Sequence, residues 1–146
     1  MTLFAPSGGG RALVDAVREI AGDRLVIAED LGDITPAVGS LLRYSGMPGM
    51  RVLQFAFLGY PKTPHLPHNY AENSVAYTGT HDNNTLLGYI RELEPEVRRR
   101  VFDYCGYSGT DFTEGHRAIV RTLLASHAAL AILPIQDLLG FGPTPV

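Results

Sequence analysis

The stretch VAYTGTHDNNT at residues 75–85 places a dense group of polar residues directly after a short apolar run. The apolar run predicts a buried strand, residues 75–79, and Asp82 lies just beyond its end. The stretch LVIAED at residues 25–30 repeats the arrangement, with a predicted strand that ends at Glu29. Enzymes of the α/β class keep acid and base groups at the carboxyl ends of parallel strands. Two carboxylates in such positions predict chemistry on sugars, which needs carboxyl groups in different protonation states.

The composition predicts a single domain of the soluble class. The 146 residues are 45% hydrophobic, which is enough for a core. The net charge of −3 and the pI near 5.9 argue against a nucleic-acid partner. The one basic run, Arg98–Arg100, lies in a helical pattern and predicts a solvated helix face. Cys105 is the only cysteine, so no internal disulfide is possible, which fits a reducing compartment.

No segment of the sequence predicts a membrane partner. The N-terminal residues MTLFAP lack the charged start and the run of about 7–15 apolar residues that a signal peptide needs. No stretch approaches the roughly 20 apolar residues of a transmembrane helix. The expected location is therefore the cytoplasm.

Local patterns predict an alternation of helices and strands. Apolar periodicity and capping residues predict helices over residues 11–21, from Thr35-Pro36 to Gly46, 95–104 and 113–126. Apolar runs predict strands over residues 25–29, 51–57, 75–79 and 131–135. Residues 59–73 hold three prolines and no periodicity, and they predict a long loop of the kind that is usually functional or disordered.

This order of elements is a βα pattern and predicts a parallel sheet. The chain starts in a glycine-rich run at residues 8–10, just ahead of a helix, and stops straight after the last strand, with no helix predicted to cover that strand. Half of a (β/α)₈ barrel, which as a whole needs about 250 residues, explains these features better than a complete small domain does.

The adjacent carboxylates Glu29 and Asp30 predict one functional and one structural group. In an extended segment their side chains point to opposite faces, so only one can face a shared pocket. Because Glu29 follows Val26 and Ile27, an apolar environment would favour the protonated form that a general acid requires. The alternative is a strand-end carboxylate that pairs with a basic side chain or a loop amide.

The polar group around Asp82 also has two interpretations. Asp82 is either a functional carboxylate or the N-cap of a helix that begins near Thr85. His81 is a conceivable metal ligand, and His65 and His68 form a second histidine pair. Pro67 separates that pair, however, and no cysteine or further spaced histidine accompanies it, so the sequence predicts no metal site.

Several ordered motifs resemble one family. They are IAEDLG (27–32), ITP (34–36), PGMRVLQFAF (48–57), LPHNY (66–70), YTGTHDN (77–83) and PIQDLLG (134–140). Together they resemble the 4-α-glucanotransferases, also called amylomaltases or disproportionating enzymes, of glycoside hydrolase family 77. The resemblance runs from about Ala21 to Gly140.

The resemblance implies a (β/α)₈ barrel, of which residues 1–146 form one partial catalytic domain: the C-terminal half, strands five to eight, without the N-terminal half. It implies transfer of α-1,4-glucan segments between maltooligosaccharides, which serve as donor and acceptor, with retention at the anomeric carbon. It implies no cofactor. Glu29 resembles the general acid/base, and Asp82 the third carboxylate, which grips sugar hydroxyls and steadies the transition state.

The resemblance also implies four substrate-binding residues. His81 matches a histidine that contacts the sugar next to the scissile bond, and Phe55 resembles an aromatic platform for a glucan ring. Gln136 and Asp137 would lie at the mouth of the eighth strand, without a defined role.

Two motifs of the family have no counterpart in this sequence. The family's nucleophile is an aspartate in an Arg-x-Asp-His-Phe-like motif on the fourth strand, and an Arg-Met-Asn-Thr-Pro-like segment normally stands where residues 141–146 read FGPTPV. A retaining mechanism needs two carboxyl groups about 5–5.5 Å apart. Three hypotheses follow: a part of a transferase that is inactive alone, one chain of a split enzyme whose partner is the N-terminal half-barrel, or a non-catalytic glucan-binding module.

Overall fold

A computed structural model describes residues 9–57 and 62–142. The chain divides into two compact units, Met1–Met50 and Arg51–Val146. The helices are α1 (Gly9–Ala21), α2 (Pro36–Ser45), α3 (Leu86–Glu92), α4 (Pro95–Tyr104), α5 (Phe112–Leu124) and α6 (Ile135–Leu139). The strands are β1 (Gly49–Val52), β2 (Ser74–Tyr77) and β3 (Leu130–Ile132), and single 3₁₀ turns cover Leu53–Phe55 and Pro67–Asn69. None of the described helices is long and apolar enough to cross a membrane.

Polar ties hold the two helices of the first unit together. The guanidinium of Arg18 on α1 donates hydrogen bonds to the carbonyl oxygens of Tyr44 and Ser45 near the end of α2, at 2.7 Å and 2.5 Å. The Tyr44 hydroxyl donates to the carboxylate of Asp15 at 2.9 Å. The caps of α2 confirm the sequence prediction, because Thr35 accepts a hydrogen bond from the Val38 amide and Gly46 takes the left-handed conformation, with φ of 64°.

The strand predicted over residues 25–29 is not formed. Only Ala28 makes a bridge, a parallel one to Gly49, and its amide donates to the Pro48 carbonyl at 2.9 Å. The prediction assumed burial on both faces of this segment, whereas Leu25 is 63% exposed. A strand needs a succession of ladder bonds, and one bridge does not supply them.

The second unit is built on a small sheet covered by helices. The strand order is β1-β2-β3, and β2 pairs with β3 in parallel, with Val75 opposite Leu130. α3 and α4 both pack against α5. A buried hydrophobic cluster lies between the sheet and these helices, and it consists of Leu53, Tyr70, Ala76, Leu86, Ile90, Val101, Phe102, Ile119, Val120 and Leu123.

The predicted boundaries of this unit are partly right. α4 runs from Pro95 to Tyr104 as predicted, and α5 lies within two residues of its predicted bounds. The strand predicted over 51–57 starts earlier, at Gly49, and ends at Val52, because the next three residues form a 3₁₀ turn. Apolar character alone does not separate a buried turn from a buried strand.

The structure also contains two helices that are absent from the predicted order of elements, and parts of some predicted segments lie outside the described residues. A third helix, α3, lies between β2 and α4, and α6 follows β3 where no covering helix was predicted. The glycine-rich run contributes Gly9 to the start of α1, while Gly8 lies outside the described residues. Within the predicted loop, residues 62–73 contain the second 3₁₀ turn, and 59–61 also lie outside the description, as do residues 143–146.

Candidate functional site

A cavity of about 380 Å³ opens beyond the carboxyl ends of β2 and β3. The segment after β2 and the segment after β3 line it with polar side chains, as the carboxyl ends of parallel strands do in other α/β proteins. The lining residues are Thr80, His81, Asn83, Asn84, Thr85, Pro134, Gln136 and Asp137. The structure therefore brings together three of the predicted site residues, His81, Gln136 and Asp137.

Asp82 lies beside this cavity with its side chain turned to solvent. Its side chain is 82% exposed, that of His81 is 90% exposed, and Asp82 Oδ1 lies 3.2 Å from His81 Nε2. The alternative role of Asp82 as a helix cap is excluded, because Thr85 caps α3 and accepts a hydrogen bond from the Gly88 amide at 3.2 Å. Asp82 and His81 thus form an exposed acid–imidazole pair at the rim of the cavity.

Asp137 lines the cavity but is itself nearly buried. It is only 2% exposed, and both of its carboxylate oxygens accept hydrogen bonds from the protein. Oδ2 accepts from the Thr78 hydroxyl at 2.5 Å, and Oδ1 accepts from the Leu86 amide at 2.7 Å. Both oxygens of this carboxylate therefore have protein donors, and the role of Asp137 in substrate binding stays a prediction.

Gln54 is a site residue that the sequence reasoning missed. It is 5% exposed. Its backbone amide donates to the Thr78 carbonyl at 3.3 Å, and its side-chain Nε2 donates to the Asn84 carbonyl at 2.8 Å. A Cβ added at Gly79 would lie 2.6 Å from Gln54 Nε2, so only glycine leaves room for this contact. The available signal was a single polar residue inside an otherwise apolar run.

Side chains within the segment after β2 also fix its shape. Asn83 Oδ1 accepts hydrogen bonds from the Thr80 amide at 2.8 Å and from the Thr80 hydroxyl at 2.9 Å. Asn84 Nδ2 donates to the carboxylate of Glu92 at 2.7 Å. Hydrogen bonds to other residues of the chain therefore hold Asn83 and Asn84 in place, whereas His81 and Asp82 pair with each other and face outward.

Phe55 lies in the 3₁₀ turn after β1 and is half-buried. Its ring packs edge-on against the ring of His65, with centroids 5.5 Å apart. His65 Nδ1 accepts a hydrogen bond from the Val52 amide at 3.1 Å, so this nitrogen carries no proton. Phe55 is not among the residues that line the cavity of about 380 Å³, and its role as a sugar platform stays a prediction.

The histidines of the long loop have separate partners. His68 Nδ1 lies 2.9 Å from the Tyr104 hydroxyl, while His65 is engaged with the backbone of β1. Within the described ranges, no three histidine, cysteine, aspartate or glutamate side chains group in a way that would hold a metal ion.

Glu29 and Asp30 differ in their environments, and the functional role of Glu29 stays a prediction. Asp30 Oδ1 accepts a hydrogen bond from the Met50 amide at 2.6 Å, whereas Glu29 is exposed. The Asp30 carboxylate lies against Gly49, where an added Cβ would come within 2.3 Å of it. The described residues of the first unit leave Glu29 open to solvent, so they do not form the apolar environment that was expected around it.

Comparisons with known proteins agree with the resemblance. The sequence model of the family described as 4-alpha-glucanotransferase matches residues 6–144. The chloroplastic/amyloplastic 4-alpha-glucanotransferase of Solanum tuberosum is 44% identical over 135 residues, which are 92% of this chain and 23% of that protein. The 4-alpha-glucanotransferase of Thermus thermophilus is 42% identical over 138 residues, which are 91% of this chain and 28% of that protein.

A solved structure gives the same result at the level of the fold. The amylomaltase from Streptococcus agalactiae in complex with acarbose matches with a TM-score of 0.82 and 33% identity, over 92% of this chain and 27% of that chain. The chain thus spans about a quarter of the length of the relatives that it matches. By the extent of these matches, the chain belongs to glycoside hydrolase family 77, the 4-alpha-glucanotransferase family.

Proposed function

We propose that this chain carries part of the active centre of a 4-alpha-glucanotransferase that acts on α-1,4-glucans as donors and acceptors. The observation that carries the proposal is the cavity beyond β2 and β3, where His81, Gln136 and a carboxylate at the rim, Asp82, come together. Hydroxyl-rich sugars are held by a few convergent polar groups in a concave site. The acarbose complex of the Streptococcus agalactiae amylomaltase supports the same substrate class.

In this proposal the exposed pair at the rim acts directly on the sugar. The carboxylate of Asp82 accepts hydrogen bonds from sugar hydroxyls and stabilises the positive charge that develops on the ring in the transition state. His81 and Gln136 donate to neighbouring hydroxyls. Phe55 offers an apolar ring face to a further glucose unit. The high exposure of Asp82 and His81 supports this assignment, because it leaves both side chains accessible to a ligand.

Glu29 serves as the acid and base of the proposed reaction. It protonates the glycosidic oxygen of the leaving glucan, and it later removes the proton from the incoming sugar hydroxyl. Between these steps the sugar is bonded to a second carboxylate, and no stretch of these 146 residues matches the family's nucleophile motif. We therefore expect the chain alone to be inactive in glucan transfer.

The proposed architecture is the C-terminal half of a (β/α)₈ barrel. The parallel pairing of β2 with β3 and the parallel bridge between Ala28 and Gly49 support it, as do the polar residues beyond the strand ends. β3 ends the sheet order, and its Leu130 and Ile132 are each 40% exposed. An edge strand with exposed apolar side chains is a surface for association, and the proposed occupant is the N-terminal half of the barrel.

A hybrid enzyme tests the function directly. Residues 6–144 replace the matched segment of the Thermus thermophilus 4-alpha-glucanotransferase, and glucose release from maltotriose is measured. We expect the hybrid to disproportionate maltotriose and the isolated chain to release none. Glucose release by the isolated chain at a normal turnover rate would contradict the need for a second carboxylate.

Substitutions in the hybrid test the roles of the two carboxylates. Glu29→Gln is expected to lower kcat by about 10²- to 10⁴-fold, because the amide cannot transfer a proton. Asp82→Asn is expected to lower it by about 10²- to 10³-fold through lost electrostatic stabilisation. Glu19→Gln, on exposed α1, is the matched control and should leave kcat within about twofold. A hybrid that binds acarbose without turnover would instead favour a non-catalytic glucan-binding module.

A further inference from the structure

A single buried carboxylate ties both ends of the segment that carries His81 and Asp82. We call residues 79–85 the β2–α3 loop, because they connect the end of β2 to the start of α3. Thr78 precedes this loop and Leu86 follows it. Asp137 accepts a hydrogen bond from the Thr78 hydroxyl with one carboxylate oxygen and from the Leu86 amide with the other. One side chain therefore fixes the distance across which the loop must close.

The energetics of burial make this tie strong. A buried carboxylate without partners is costly, whereas hydrogen bonds to a charged group are among the stronger ones in proteins. Asp137 is 2% exposed and Thr78 is fully buried, so water does not compete for either contact. A loop that moved away would leave the carboxylate unsatisfied, and this penalty opposes the movement.

Asp137 is itself fixed from the side of α5. Its backbone carbonyl lies 2.6 Å from His116 Nε2, and His116 is 3% exposed. A carbonyl oxygen only accepts hydrogen bonds, so the His116 nitrogen must carry the proton. The contact with His116 on α5 thus fixes the backbone of Asp137. The carboxylate of Asp137 in turn fixes the two ends of the loop.

We propose that Asp137 is a positioning residue, which holds the β2–α3 loop so that His81 and Asp82 present their side chains to a glucan. The proposal deepens the function proposed above and rests on it for the identity of the ligand. In this proposal the carboxylate makes no sugar contact, although Asp137 lines the cavity. The charge of Asp137 is then dispensable as long as both ties remain.

The choice of substitution separates positioning from a direct role. Asp137→Ala removes both ties. Asp137→Asn keeps them, since its amide oxygen accepts from the Leu86 amide and its amide nitrogen donates to the Thr78 hydroxyl oxygen, but it removes the charge. Thr78→Val removes one tie without changing the shape of the side chain. Asp111→Ala is the matched control, because Asp111 accepts a backbone hydrogen bond from Glu114 at 2.9 Å at the start of α5.

The first measurement is amide hydrogen exchange and chemical shifts in the ¹⁵N-labelled 146-residue chain. For Asp137→Ala we expect the Leu86 amide to exchange about tenfold faster or more, and the resonances of the β2–α3 loop and of the His81 ring to shift. The Ile119 amide, in the core of α5, reports global unfolding and should keep its protection. Unchanged Leu86 exchange and loop shifts in Asp137→Ala would overturn the proposal.

If Asp137→Ala unfolds the second unit, the variant Thr78→Val tests the proposal instead. Thr78→Val should then move the resonances of the β2–α3 loop and speed Leu86 exchange, while Ile119 stays protected. A loop unaffected by Thr78→Val would overturn the proposal. Asp111→Ala should speed exchange at Glu114 and leave the loop resonances in place.

The second measurement is kcat/KM for maltotriose in the hybrid enzyme. We expect Asp137→Asn to stay within about threefold of the parent and Asp137→Ala to lose about tenfold or more. An equal loss in both variants would overturn the proposal, because it would show that the charge acts on the sugar. An inactive parent hybrid would count against the proposed function, while the exchange experiment would still decide the role of Asp137.

Discussion

Glu29 and Asp82 are both exposed carboxylates, but the segments that carry them are held in different ways. Glu29 lies between Ala28, whose amide donates to the Pro48 carbonyl, and Asp30, whose carboxylate accepts from the Met50 amide. In that unit α1 buries no residue completely and α2 buries only Ser45. Asp82, by contrast, lies on a loop that two nearly buried side chains, Gln54 and Asp137, hold by hydrogen bonds. We call these hydrogen bonds the polar clasp.

The hydrophobic core explains this difference. In the second unit Leu86 and Ala76, which lie next to the polar clasp, belong to the buried cluster, so the clasp groups are shielded from water and each hydrogen bond is stronger there. In the first unit the corresponding ties, such as Arg18 to the Tyr44 carbonyl, lie at an exposed or half-exposed surface. We therefore expect the loop that carries Asp82 to be held by the core beneath it as well as by its own hydrogen bonds.

The largest test of this comparison removes part of the core. Ile119 is fully buried on α5, and Ile119→Ala should lower the unfolding free energy of the second unit by about 2–5 kcal/mol. Leu41→Ala, on half-buried α2, should cost the first unit only about 1 kcal/mol. Urea denaturation is monitored by amide exchange at Val17 for the first unit and at Val101 for the second, so that the stability of each unit is measured separately.

The Ile119 variant should also loosen the polar loop that rests on the core. We expect the Leu86 amide to lose protection together with Val101. Equal destabilisation by the Ile119 and Leu41 variants would contradict the view that the buried cluster gives the second unit more packing energy than the described residues of the first unit have.

The next test breaks the tie that supports Glu29. A Cβ at Gly49 would lie 2.3 Å from Asp30 Oδ2, so Gly49→Ala must push the carboxylate off the Met50 amide. The expected loss is about 1–3 kcal/mol, the contribution of a hydrogen bond to a charged group. Thermal unfolding and the Met50 amide resonance measure it.

The matched control for this test lies in the same unit. Gly39 is inside α2, and an added Cβ there would meet only ordinary contacts, 3.5 Å from Arg43 and 3.9 Å from Ile34. Gly39→Ala should therefore stabilise the helix by about 0.5–1 kcal/mol. A Gly49→Ala variant that is as stable as the parent would show that Asp30 can hold Met50 from another position.

The sequence predicted the helices of this chain better than its strands. Helix ends carry chemical markers, and Thr35, Pro36 and Gly46 act at α2 as their residue types predict. Strand formation depends on a partner that is distant in the sequence, so the run before Glu29 remains a single bridge. A helix that begins near Thr85 was anticipated only through the alternative role of Asp82. It is missing from the predicted order of elements because its seven residues give too few apolar repeats for a clear period.

The candidate site was predictable in its residue types but not in their roles. The motifs after β2 and β3 predicted His81, Gln136 and Asp137 as substrate-binding residues. All three line one cavity, and their contacts with a sugar stay predictions. The hydrogen bonds of Asp137 to Thr78 and Leu86, more than 50 residues away, depend on the fold and were not predictable from the motif. Gln54 was missed for the same reason, since its partners lie on another strand end.

The smallest expected effect concerns the hydroxyl groups of two tyrosines, one exposed in the first unit and one buried in the second. The Tyr44 hydroxyl donates to Asp15 at the surface, whereas the Tyr89 hydroxyl is buried and finds no hydrogen-bond partner within residues 9–57 and 62–142. Burial is the main cause, and the charge of the nearby Cys105 the smaller one, that raises the pKa of Tyr89 from its ordinary value of 10.0 to about 12. Tyr89→Phe should change the unfolding free energy at pH 8 by no more than about 1 kcal/mol, since the hydroxyl makes no hydrogen bond that could be lost.

The contrast between parent and Tyr89→Phe appears at alkaline pH. Below pH 10 both the folded and the unfolded state keep the proton of Tyr89, so its contribution is fully present. Between pH 10 and about 12 the unfolded state loses the proton first, and the stability of the parent therefore falls as the pH rises. Urea unfolding at pH 8 and pH 11 should show a smaller fall for Tyr89→Phe than for the parent, with Cys105 titrating alike in both. Equal falls would mean that the Tyr89 hydroxyl reaches water, and the claim of a dry core beneath the β2–α3 loop would then be wrong.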